Sequence, residues 1–268
     1  MKQVFSILIL FLGIQINGSS QLKIFAEQKP GGGIIYAKNT DLFPYSIVLE
    51  LDFTNMSFSE GKINTFVIPP GSEKFKIGEL TALPGKKYKY GYKYRSNMGD
   101  YTKKPDPDYK YDLPFSSKTG YKLFQGYNGS FSHKNENSLD FTMPIGTEVL
   151  AAREGVVVQV VQNFSINCLE EDCKKYNNYV TVMHDDGSFA RYVHIKHNGS
   201  LVKIGDVIKK GDKIALSGNV GYSNGPHLHF VCFGADEKGR VTYPTKFRVN
   251  DGNTAIFLEE GKTYKRDY

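Results

Sequence analysis

The sequence predicts an all-β protein of antiparallel sheets in two unequal parts. Three observations predict it. The chain holds 18 Tyr and 18 Phe, with 27 Gly and 11 Pro, a composition suited to many short strands joined by turns. Several stretches alternate apolar and polar side chains with period two. No stretch sustains the 3.6-residue apolar repeat of an amphipathic helix. A length of 268 residues leaves room for two ordinary domains.

Met1-Lys2-Gln3 opens the chain, an apolar run follows from Val4 to Ile16, and Gly18-Ser19-Ser20 supplies small residues. This is the pattern of a secretory signal peptide over residues 1–20, cut after Ser20. The apolar run is shorter than the roughly 20 residues of a membrane span, and it contains Gly13 and Gln15. No other segment is long and apolar enough to cross a bilayer. The mature protein is therefore expected to be exported, to the periplasm or the exterior, without a membrane span.

Residues 21–103 read as a small N-terminal β domain resembling a sandwich. Leu22–Ala26 and Gly33–Ala37 are expected strands around a Gly-rich turn. Ser46–Phe53 alternates cleanly, with Ile47, Leu49, Leu51 and Phe53 on one face. In Lys87–Arg95 four tyrosines share one face, and Lys87, Lys89, Lys93 and Arg95 share the other. That strand is expected to pack Tyr inward and to use Lys against edge-to-edge pairing. Lys103-Lys104-Pro105-Asp106-Pro107-Asp108 is polar and held extended by its prolines, so residues 104–112 are the expected linker. A second domain, 113–268, carries strands at 149–152, 155–161, 179–183 and 189–195.

The formal charge is +6, which favours anionic surfaces and polymers. No basic cluster comes with a nucleic-acid-binding signature, so nucleic acid is not an expected partner. Export permits a disulfide. Cys168 and Cys173 bracket a short acidic loop that such a bond would close, leaving Cys232 as a buried thiol.

The chemistry concentrates in Gly225-Pro226-His227-Leu228-His229-Phe230-Val231. On a strand His227 and His229 point to one face, with their rings roughly 7 Å apart. That spacing suits one ring holding a metal while the other reaches a reacting group. A catalytic zinc takes three protein ligands and leaves a fourth position open. His133 and Asp140, in a polar loop that leads into a strand at Leu139, complete such a set with His229. His194 ends the alternating stretch Ala190–His194, which places Ala190, Tyr192 and His194 on one face. His184 and His197 sit in turn-like sequence and are expected to be exposed. Tyr127 is expected to line the cleft or to pack.

His133 and Asp140, followed in order by Pro144–Val149, Tyr192-Val193-His194, Gly205-Asp206, Ser217-Gly218-Asn219-Val220-Gly221 and Gly225-Pro226-His227-Leu228-His229, resemble the lysostaphin/LytM-type zinc metalloendopeptidases. The resemblance covers roughly the C-terminal half. It implies a LytM-like antiparallel β catalytic domain with one Zn2+ held by His133, Asp140 and His229. It also implies His194 and His227 as catalytic residues, and the peptide cross-links or bridges of bacterial peptidoglycan as substrate. A different zinc hydrolase, such as a wall amidase, is one rival reading, and two others come from different classes. One is a non-catalytic member that binds wall or activates a hydrolase; the other is a surface-binding protein with structural zinc. Oligomeric state is not legible.

Overall fold

The His227–Asp236 strand lies inside a nine-stranded antiparallel sheet, flanked by Phe189–Val193 and Ser138–Thr142. The computed structural model describes residues 21–115 and 120–268; the expected signal peptide, residues 1–20, lies outside them. From one edge the sheet runs Val207–Ile208, Gly155–Val161, Tyr179–Met183, Phe189–Val193 and His227–Asp236. It continues through Ser138–Thr142, Tyr121–Gln125 and Thr263–Tyr264, while Gly239–Tyr243 also pairs with His227–Asp236. Among the described residues the one helical segment is a 3-10 turn, Glu171–Tyr176. The protein is all-β.

Strand alternation sets the two faces of this sheet. Leu228, Phe230 and Cys232 point to a core shared with Leu139, Phe141 and Tyr192. His227, His229, Val231 and Phe233 occupy the opposite face. Phe233 and Val231 join a second core together with Val158, Phe189 and N-terminal residues such as Ile24, Ile35, Ile47 and Leu80. The N-terminal strands therefore cover part of the very face that presents the histidines.

Those N-terminal strands form two antiparallel sheets. One has the order Leu22–Lys29, Gly32–Asn39, Ser72–Ala82, Met56–Phe58; the other has Thr65–Ile68, Tyr45–Thr54, Lys89–Met98. Gly31, at φ 75, closes the two-residue turn of the first hairpin, a backbone region that glycine enters without penalty. On Tyr45–Thr54 the alternation holds, but burial fades outward. Ile47 and Leu49 are buried, whereas Phe53 is 37% exposed. On the Lys/Tyr strand Tyr90 and Tyr92 pack against the core, while Tyr88 and Tyr94 are exposed. Lys110–Tyr111 pairs in parallel with Lys246–Val249, and Asp112 is buried against Arg248 and Arg266.

Candidate metal centre and its cleft

Asp140 and His229 face each other in the register of neighbouring strands, with Oδ1 and Nδ1 2.8 Å apart. Alternation explains the pairing: Leu139 and Phe141 are drawn to the core, so Asp140 turns to the histidine face. His133 arrives from the loop between Tyr121–Gln125 and Ser138–Thr142, which turns through Asn128 and Asn135 at φ 56 and 61. Asparagine tolerates this left-handed region better than most residues. Short backbone bonds tie the loop, among them Asn128 N–H to Glu136 O (2.9 Å) and Glu136 N–H to His133 O (2.8 Å).

The three side chains converge. His133 Nδ1–H donates to Gly126 O at 2.9 Å, which fixes the tautomer and leaves Nε2 with its lone pair. That Nε2 lies 3.1 Å from Asp140 Oδ2 and 3.2 Å from His229 Nδ1. Three electron-rich atoms this close repel one another unless a proton or a cation sits among them. Donors about 2.0–2.1 Å from one tetrahedral ion stand about 3.3 Å apart, close to the separations here. Two nitrogens and a carboxylate oxygen fit zinc or another divalent first-row ion. Burial works against ionised Asp140, yet hydrogen bonds and charge from His133 and His229 hold it well below the usual carboxylate range. Burial is the largest single influence on His133 and opposes its protonation, but the hydrogen bond and charge of Asp140, with the Gly126 carbonyl and Glu136, together outweigh it and raise the imidazole above its ordinary value.

Gln125 is the residue that sequence reading missed here. It stands opposite Asp140 on the neighbouring strand, and its Nε2 donates to Asp140 Oδ2 at 2.9 Å and to Ser132 Oγ at 2.7 Å. One amide thus ties the aspartate to the loop that carries His133. Nothing in the short stretch Tyr121–Gln125 announces this; only its pairing register does.

His194 and His227 stand beside the triad with ring centroids 4.5 Å apart. His227 Nδ1–H donates to Gly225 O at 2.8 Å, with Ser223 Oγ at 3.2 Å. His194 Nδ1–H donates to Val220 O at 2.7 Å. Both Nε2 atoms are left for the cleft. Burial pushes both rings below the ordinary histidine value, His194 to about 3 with help from the neighbouring histidines. The expected common face of Ala190, Tyr192 and His194 does not hold. Ala190 and Tyr192 go to the core, but His194 lies past the end of its strand at φ 64, and that backbone rotation carries its ring to the cleft side.

The cleft has a volume of about 580 Å³. Phe131 and Tyr222 stack across it at 6.3 Å between centroids. One wall is the loop closed by the Cys168–Cys173 disulfide, held in place by parallel pairing of Asn167–Cys168 with Gly221–Tyr222. Gly221, at φ 87, sits so close to Asn177 that a Cβ there would clash, so this glycine serves a chain crossing rather than ligand approach. Tyr127 packs against the core, and its hydroxyl donates to Thr245 O at 2.7 Å. His197 is exposed, but His184 is buried, donating from Nδ1 to Glu154 O at 2.7 Å. Cys232 is a buried thiol beside Tyr111 Oη at 3.3 Å.

Residues 134–244 match Peptidase family M23, so the C-terminal part of the chain carries a domain of that family. The match begins one residue after His133 and includes Asp140, His194, His227 and His229. An uncharacterized metalloprotease of Buchnera aphidicola is 40% identical over 124 residues, 44% of this chain and 29% of that protein. Peptidoglycan DD-endopeptidase ShyA of Vibrio cholerae is 38% identical over 94 residues, 35% of this chain and 19% of that protein. Lysostaphin of Staphylococcus staphylolyticus is 36% identical over 109 residues, 39% of this chain and 19% of that protein. The chain thus spans less than a third of the length of each of these relatives.

Proposed function

We propose that this protein, whose C-terminal part is an M23-family domain, is an exported zinc metalloendopeptidase. Its substrate is the peptide portion of bacterial peptidoglycan, at a cross-link or bridge. The observation that carries the reading is the convergence of His133 Nε2, Asp140 and His229 Nδ1 beside two imidazoles whose Nε2 atoms are left for one cleft. The relatives named for cutting peptidoglycan supply the substrate class. Among the described residues no helix is long and apolar enough to cross a membrane; on this reading residues 1–20 direct the export. On this reading residues 113–268 form the peptidase domain, residues 21–103 a β domain packed against it, and residues 104–112 the connection.

His133, Asp140 and His229 would hold one Zn2+. When bound, the ion supplies an acidified water and a Lewis acid for the scissile carbonyl. The chain's own residues do the rest. Asp140 brings the one negative charge of the ligand set, and Gln125 keeps its second oxygen oriented. The backbone carbonyls of Val220 and Gly225 fix His194 and His227 in the tautomer whose Nε2 is unprotonated. Those Nε2 atoms take a proton from attacking water and return it to the departing amine. In protonated form the same rings donate to the developing oxyanion.

The test incubates the zinc-loaded protein with purified peptidoglycan and follows newly released amino groups, with His227→Ala as control. Release by the wild type, abolished in the folded variant and after chelation, is the expected outcome; mass analysis of the fragments then names the bond. Binding to the wall without release of amines by either protein would replace the enzyme with a wall-binding or hydrolase-activating role.

A further inference from the structure

The floor of the cleft runs along the histidine face of the sheet, and its last open position is an arginine. On the Phe189–Val193 strand Val193 lies opposite His229, and Arg191 lies opposite Val231. Arg191 is thus two positions along the sheet from the His229 level, roughly 7 Å at strand rise. One step further on the same face Phe189 and Phe233 are buried in the core shared with the N-terminal sheets. Met98 from the N-terminal part reaches Arg191, with Sδ 4.0 Å from Nη2.

The guanidinium is held in place by neutral groups. Nε donates to Thr181 Oγ1 at 2.9 Å and Nη2 to Gln159 Oε1 at 2.9 Å. Its Cζ lies 4.7 Å from the Tyr179 ring centroid and 4.9 Å from that of Phe233. Arg191 lines the cleft, and its Nη1 makes no hydrogen bond to the described residues. Other cations at the cleft are neutralised or solvated: Arg240 pairs with Glu136 at 2.5 Å, Lys174 pairs with Glu171 at 2.6 Å, and Lys175 is exposed at the rim. Arg191 pairs with no carboxylate among the described residues. The negative charge of Glu136 acts on Arg191, but Glu136 is itself paired with Arg240, so the guanidinium is only weakly compensated, which is costly for a cation partly drawn out of water. Burial pushes its pKa down to about 10, so it is still charged at neutral pH. A planar donor held this way matches a carboxylate better than any other common peptide group.

We propose that Arg191 binds a free carboxylate of the peptide substrate, within about two residues of the bond that is cut, and so selects acidic over amidated peptides. The assignment rests on the peptidase reading above. The carboxylate has two sources, a chain-terminal α-carboxyl or a side-chain carboxyl, and the same chemistry recognises either.

The test uses synthetic cross-linked peptides in three forms: all carboxyls free, the terminal carboxyl amidated, or the side-chain carboxyl amidated. The zinc-loaded full chain is expected to cut the free form with kcat/KM at least about tenfold above one amidated form, and that form identifies the source. Arg191→Gln is expected to bring the ratio to within about twofold, chiefly through KM. Arg191→Lys, which keeps a charge but loses the fork, falls between. Equal rates on all three peptides with the wild type overturn the assignment whether or not the variants fold. Calorimetry of the same peptides on His227→Ala separates the two readings. Tighter binding of the free form without cleavage by the wild type keeps Arg191 and removes the peptidase. Cleavage without carboxylate preference in rate or binding removes Arg191 alone.

Discussion

Asp140 Oδ1 and His229 Nδ1 meet at 2.8 Å because two adjacent strands place them directly opposite each other on one face. The contact is built into the sheet, whereas His133 depends on a loop. Asp140→Asn keeps the shape and removes the one negative charge of the set. It is expected to weaken zinc binding by more than roughly 100-fold, beyond what loss of an outer partner costs. Zinc per chain after dialysis against a buffered zinc series checks this. Retention of one tightly held ion in the variant would remove Asp140 from the ligand set.

Gln125 orients Asp140 through a 2.9 Å hydrogen bond and also holds Ser132, next to His133. Gln125→Leu is expected to lower zinc affinity and kcat by roughly 10- to 100-fold, with KM little changed. Titration with a fluorescent zinc indicator, alongside steady-state kinetics, separates that result from simple unfolding, which would reduce the active fraction and leave the zinc affinity of the remainder intact.

The sequence exposed the residues that obey periodicity. His227 and His229 share a face because a strand alternates, and Asp140 joins them because Leu139 and Phe141 are apolar and claim the core. Three features were hidden. His194 leaves the alternation through a left-handed backbone, which no side-chain pattern encodes. Gln125 and Arg191 owe their place to strand register and to packing of the N-terminal sheets, both long-range properties. His184 sits in a turn-like sequence yet is buried, since the turn's residues Asp185 and Asp186 pair with Arg153 and hold it against the sheet.

His184 makes stability depend on pH. Burial pushes its pKa down to about 4, with Arg153 adding to the effect. The unfolded chain, with an ordinary histidine near 6.5, binds the proton more readily than the folded one. The neutral ring therefore contributes stability above about pH 6.5 that is lost as pH falls toward 4, up to about 3 kcal/mol. His184→Asn places an amide donor where Nδ1 stands and does not titrate. Urea unfolding from pH 7 to 4 is expected to show a shallower fall in stability for this variant; parallel curves would contradict the assigned burial.

Chelation distinguishes a catalytic ion from a structural one. Two extended apolar cores surround the sheet without reference to the metal ligands. The apo protein is therefore expected to remain folded, with zinc adding about 4 kcal/mol at a free concentration 1,000 times Kd. Circular dichroism melts with and without chelator should give two cooperative transitions, the apo one at lower temperature. A loss of fold at room temperature on chelation would instead support structural zinc.

The N-terminal sheets cover Val158, Phe189, Val231 and Phe233, so the M23 domain is expected to depend on them. Exposing four such side chains costs roughly 6–12 kcal/mol at 1.5–3 kcal/mol each, comparable to the whole stability of an ordinary domain. A fragment of residues 106–268 is therefore expected to aggregate or to bind a hydrophobic dye strongly. Phe189→Ser and Phe233→Thr introduced together in that fragment should lower dye binding, because both rings lie on the uncovered face, whereas in the full chain the same pair should destabilise. Dye fluorescence and sedimentation of the fragment against the intact protein decide the matter. A soluble, cooperative, dye-silent fragment would show that the histidine face stands without its cover, and the N-terminal part would then be a separable module.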